Sequence, residues 1–124
     1  CLFLPNSDEE TIIKYQKGAD LLFYVITKDW PTYWCCSPLK IPEYMASGTP
    51  ILAPSIGSIQ EMIDKKNAFI FNLFNDSLKN SILKVKSNPL LAEKISKNSL
   101  KKVRENYTWN VRSNLLLNFI DKNF

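Results

Sequence analysis

The chain has 124 residues, 45% hydrophobic and 23% charged, with a net charge of +4 at neutral pH. That is enough for one domain with one core and ordinary for a globular chain. It contains no histidine, which excludes Ser-His and Cys-His nucleophile systems, histidine general bases and most zinc sites. Any chemistry falls to carboxylates, Lys, Arg, backbone amides or the substrate itself.

The longest uncharged apolar run, LLFYVI, is far short of the ~20 residues that span a bilayer. Three cysteines, Cys1, Cys35 and Cys36, form no disulfide ladder and point to a reducing, cytosolic setting. Residues 1–78 carry 6 basic and 9 acidic side chains, whereas 79–124 carry 10 basic and 3 acidic. The basic C-terminal part is either a set of solvated helices or a flank facing anionic lipid or phosphate. Nothing in it suggests a nucleic acid partner, because aromatics do not interleave with the basic residues. Cys1 rather than Met at the first position leads us to expect a fragment of a longer chain.

In chain order, CLFLP (1–5) has the length of a buried strand. Ser7 and Glu10 fit a capping box for a helix over 8–17 that ends before Gly18. ADLLFYVI (19–26) is a continuous apolar run, which predicts a strand covered on both faces. After an aromatic loop, SPLKIPEYMASG begins a helix that stops at Gly48. If Ser37 caps it, Pro42 loses a bond to the Pro38 carbonyl and bends the first turn. Alternatively, 37–41 is extended and Pro42 sits at the first helical position. TPILAP (49–54) is the next strand. Gly57 or Ser58 caps a helix over 59–66 that Asn67 ends, and AFIF (68–71) is a fourth strand. Asn75 opens a helix to Val85 or Lys86. Asn88 and Pro89 form an N-cap and first-turn pair for a helix to about Glu105. Thr108 caps a last helix, on which Trp109, Val111, Leu115, Leu116, Phe119 and Ile120 make a roughly helical stripe.

Apolar strands alternating with helices predict an α/β fold: a Rossmann-like parallel sheet of about four strands, helices on both faces and a helical C-terminal tail. The usual sheet of this kind has more strands, so its N-terminal part is expected to be missing.

Ligands bind such sheets off the carboxyl ends of the strands. The strand 19–26 leads there into loop 27–37 and then into a helix start, where unpaired amides and the positive dipole end attract phosphate. Ser37 can cap that helix or donate to a phosphate, and Lys40 adds a mobile positive charge. Glu43 accepts only, and suits the two vicinal hydroxyls of a ribose. Positions i and i+3 share a helix face, so Lys40 and Glu43 can divide a nucleotide between them. Trp30, Tyr33 and Trp34 form either a sugar-stacking platform or a loop that packs on another domain. Cys35 and Cys36 read as small packing residues with no base beside them, and Glu61 as a helix-surface acid. Pro5 and Asn6 lie near where a base would sit.

The ordered set ADLLFYVI, SPLKIPEYMASGTPILAP, GSIQEMI and NYTW with its terminal helix resembles the C-terminal half of family 4 (group 1) retaining glycosyltransferases of the GT-B fold, across nearly all of residues 1–124. The resemblance implies the donor-binding domain of an enzyme that transfers a sugar from a nucleotide-sugar, with retention, to a glycan or lipid-linked acceptor held by an N-terminal domain. The second Glu of the family's Glu-x7-Glu pair falls on Glu43, the ribose ligand. The first falls on Cys35, which is no carboxylate. Cys35 and Cys36 would lie on the donor-sugar side, and Ser37, Pro38, Leu39 and Lys40 beside the diphosphate. No metal and no cofactor are expected, since the nucleotide-sugar is a substrate. The expected partners are that donor, the absent N-terminal domain and a membrane-associated acceptor, in the cytoplasm or at the inner membrane face. The fragment alone is expected to be inactive. A non-catalytic nucleotide-binding module of the same fold is the alternative, and a receiver-like domain ranks below both because Asp29 lacks acidic partners.

Overall fold

A computed structural model describes residues 2–31, 33–35, 37–72 and 78–123. The elements run α1 (Glu9–Gly18), β1 (Leu22–Phe23), α2 (Lys40–Ser47), β2 (Ile51–Ala53), α3 (Ile59–Met62), β3 (Phe69–Ile70), α4 (Leu78–Lys86), α5 (Pro89–Asn106) and α6 (Trp109–Asn123). The strands lie in the order β1-β2-β3, all parallel. Leu22 is in register with Ile51, and Phe23 with Leu52, which in turn is in register with Phe69.

Alternation along β2 divides the core into two layers. Ile51 and Ala53 point into a cluster with Ile41 and Met45 of α2, Ile59 and Met62 of α3, and Val103 of α5. Leu52 points the other way, into Phe69, Phe71, Val85 of α4, and Ala92 and Ile95 of α5. Helices therefore cover both faces, and α5 serves both layers along its length. Ile41, Met45 and Ile51 have no accessible surface; burying each such side chain contributes about 1.5–3 kcal/mol, which fixes α2 on the sheet.

Several local expectations shift. Among the described residues there are three strands, not four: 2–5 belong to no strand, and Leu2, Phe3 and Leu4 are exposed. An apolar run becomes a strand only when a neighbour takes its backbone bonds. Residues 19–26 pair only around Leu22–Phe23, where the Leu22 amide donates to the Pro50 carbonyl and the Tyr24 amide to that of Leu52. Leu22 and Ile26 are buried, whereas Phe23 and Val25 keep part of their surface exposed and Phe23 is covered only where its ring meets Phe71, so the second face of β1 is partly covered, as suits an edge strand. The cap of α1 is Asp8 rather than Ser7. Its carboxylate accepts from the Thr11 amide at 2.8 Å, while the Ser7 hydroxyl donates to the Pro5 carbonyl.

The helix predicted over 59–66 stops at Met62, because the next residues form a side-chain-locked turn. The Asp64 amide donates to Asn67 Oδ1, the Lys66 amide to Asp64 Oδ1, and Asn67 Nδ2 to the Met62 carbonyl. Asn88 and Pro89 open α5 as predicted, although the Asn88 amide group donates back to the Lys84 carbonyl rather than capping. Thr108 Oγ1 accepts from the Val111 amide at the start of α6. The expected opening of α4 at Asn75 lies outside the described residues, as does Cys1.

Candidate functional site

The carboxyl edge of the sheet is formed by the chain after β1, the 54–58 loop after β2 and the start of α2. The loop after β1 carries two backbone bonds: the Trp30 amide donates to the Thr27 carbonyl and the Tyr33 amide to the Trp30 carbonyl, at 3.1 and 3.0 Å. Tyr33 anchors it. This side chain is 5% exposed and belongs to the main core layer, so the three-residue aromatic platform is corrected: Tyr33 is core, while Trp30 and Trp34 stay exposed. The Trp34 ring meets that of Tyr33 edge-on, with centroids 4.8 Å apart.

Gly57 brings the second loop onto the first. Its φ is +49°, and a Cβ there would lie 2.6 Å from the Trp34 carbonyl oxygen. Only glycine allows both the left-handed backbone and so close an approach. Reading Gly57 as a possible cap missed this; the signal was a glycine between two apolar runs, where close backbone contact is one standard meaning.

The helix start takes a course between the two alternatives. Lys40 is the first residue of α2 and Leu39 its N-cap, without a side-chain cap bond. Pro42 is thus the third helical residue, where a missing N–H costs little because the first amides have no helical partner. The Pro38 carbonyl, which a residue with an N–H at 42 would have bonded, accepts from the Ile41 amide at 3.2 Å, and the Glu43 amide reaches the Leu39 carbonyl. Ser37 and Leu39 are exposed and Pro38 is partly covered, immediately ahead of the helix.

Lys40 and Glu43 are brought together. Lys40 Nζ donates to Glu43 Oε2 at 3.0 Å, with the side chains 50% and 45% exposed. Both line a groove of about 480 Å³ between α1 and α2, with Ile12, Ile13, Gln16 and Ala46 among its walls. The two helices are tied at the far end of this groove. Thr49 Oγ1 donates to the Gln16 carbonyl at 2.6 Å in a buried bond, and the Thr49 amide donates to Ser47 Oγ. Cys35 is exposed with a free thiol; Cys36 lies outside the described residues. Glu61 is on the surface as expected, and its carbonyl accepts from Tyr107 Oη and Lys102 Nζ. Among the described residues, no helix is long and apolar enough to cross a membrane.

No protein-family profile matches the chain, and no curated protein matches it. Among solved structures, the chain is similar to a sucrose-phosphate synthase from Thermosynechococcus elongatus, with 22% identity and a TM-score of 0.77. The match covers 98% of this chain and 29% of the other, so the chain spans less than a third of that protein's length. The likeness is one of fold: a parallel α/β unit with helices on both faces.

Proposed function

We propose that residues 1–124 are the donor-binding part of a retaining GT-B glycosyltransferase, completed by an N-terminal acceptor domain. The observation that carries the reading is the pairing of Lys40 with Glu43 at the start of α2, on the carboxyl edge of a parallel sheet. A diphosphate draws Lys40 away from Glu43, and a ribose offers Glu43 two hydroxyls in its place. Ser37, Pro38 and Leu39 sit at the positive end of α2, where backbone amides and the dipole favour phosphate. Cys35 lies on the side of the transferred sugar. In such a site the leaving diphosphate is stabilised electrostatically, here by Lys40 and the helix end. Transfer to a glycan or lipid-linked acceptor, in the cytoplasm or at the inner membrane face, is the activity this implies for the whole protein. The fold likeness to a sucrose-phosphate synthase supports a glycosyltransferase over other uses of a parallel sheet.

One observation favours a second reading, a nucleotide-binding module without catalysis. Cys35 stands where the resemblance would put the carboxylate on the sugar side, and a thiol is a weak hydrogen-bonding group. Incubating the full-length protein with UDP-, GDP- and ADP-sugars and following sugar release separates the two. Release with acceptor present supports the transferase; binding without release to any acceptor supports the module.

A further inference from the structure

The arrangement of loop 27–35 has a use that the nucleotide-binding residues leave open. Trp34 is 74% exposed, yet both its ring and its backbone are in contact with other residues. Its ring rests edge-on against the buried Tyr33, and its carbonyl is held against Gly57, where no Cβ could fit. It precedes Cys35, whose thiol is also exposed. A large indole fixed in position but not covered is the form an aromatic contact surface takes, because little side-chain freedom is lost on binding. The negative face of the ring attracts the partly positive C–H groups of a flat partner, and a pyranose presents one face made of such groups. Trp30 is also exposed, and among the described residues its ring has no such aromatic contact.

We infer that the Trp34 indole is the stacking surface for the pyranose ring of the bound nucleotide-sugar, and so helps decide which sugars this site accepts. This rests on the donor-binding reading above. The sugar ring then lies beside Cys35 at the carboxyl edge, with the diphosphate toward Lys40.

The test uses the full-length protein and calorimetric titration with UDP, GDP and ADP and with UDP-glucose, GDP-mannose and ADP-glucose. Trp34→Ala is expected to weaken binding of the preferred nucleotide-sugar by roughly two- to tenfold while leaving its bare diphosphate unchanged. Trp34→Phe should recover most of the loss. Because Trp34 is exposed, the substitution leaves the core intact; circular dichroism and the melting temperature check this. Equal weakening of sugar-bearing and bare nucleotides would overturn the inference, as would no change in either. A lowered melting temperature with sugar discrimination intact would overturn it too, and would assign Trp34 to a contact with another domain. If the wild-type protein binds neither class of compound, the donor-binding reading itself fails; binding of bare diphosphates that Trp34→Ala leaves alone, with no effect on the sugar, removes only the stacking role.

Discussion

Lys40 Nζ donates to Glu43 Oε2 at 3.0 Å across one turn of α2. The pair is half exposed, so its contribution to stability is small, within about 0–1 kcal/mol. Replacing either residue by alanine should therefore leave chemical denaturation midpoints almost unchanged. Nucleotide binding should respond differently to the two changes. Lys40→Ala is expected to weaken diphosphates more than nucleosides, and the loss should shrink at high salt, where screening already weakens the charge. Glu43→Ala is expected to weaken ribonucleotides more than their 2′,3′-dideoxy counterparts.

Gly57→Ala tests the loop contact that shapes the carboxyl edge. The new Cβ meets the Trp34 carbonyl oxygen at 2.6 Å and inherits a φ of +49°. Either the 54–58 loop or loop 27–35 must move. A loss of about 1–3 kcal/mol is expected in urea unfolding, together with a change in Trp34 fluorescence in the native state. Unchanged stability and fluorescence would mean that the two loops do not touch as described.

Thr49→Val keeps the shape at the end of α2 but removes the donor to the Gln16 carbonyl, a buried 2.6 Å bond. Leaving that carbonyl unpaired should cost about 1–3 kcal/mol. The effect should appear as faster amide exchange in α1, whose last turn this bond ties to the turn before β2.

Burial, and then the nearby Glu61 carboxylate, push the Tyr107 hydroxyl above its usual range. A group whose pKa is higher in the folded than in the unfolded chain contributes stability below the unfolded value, and that contribution is lost as pH rises through the folded one. The protein should accordingly lose stability above about pH 10. Tyr107→Phe should flatten that alkaline decline, at a cost below about 1 kcal/mol at neutral pH for the lost bond to the Glu61 carbonyl. Asp8 has the opposite sign. The Thr11 amide holds its carboxyl below the usual range, so its contribution is present at neutral pH and is lost on acidification through the folded pKa; Asp8→Ala should remove that acid dependence.

Much of this architecture could be read from local pattern, and the failures have physical causes. Gly48 ended α2 because a left-handed C-cap favours glycine, and its φ is +76°. Pro89 opened α5 because a missing N–H costs nothing at a first helical position. CLFLP misled because apolarity without a pairing neighbour is not a strand. The Ile63–Asn67 turn was hidden because Asn67 bonds both the Met62 carbonyl and the Asp64 amide, a side-chain competition that hydrophobic period does not report. Tyr33 and Trp34 are adjacent aromatics of similar appearance in sequence, yet one is core and the other surface; only the fold of the loop decides which. At the candidate site, the closeness of Lys40 and Glu43 followed from helical spacing, whereas the approach of Gly57 to Trp34 joins segments more than twenty positions apart, and the glycine alone did not say which segment it meets.

The central claim, that Lys40 and Glu43 form one nucleotide site, is tested most directly by titrating the full-length protein and its Lys40→Ala/Glu43→Ala double variant with the preferred nucleotide-sugar. The account predicts saturable binding by the wild type and a loss of at least tenfold in the double variant, with the fold retained. Equal affinity in the two proteins would contradict it.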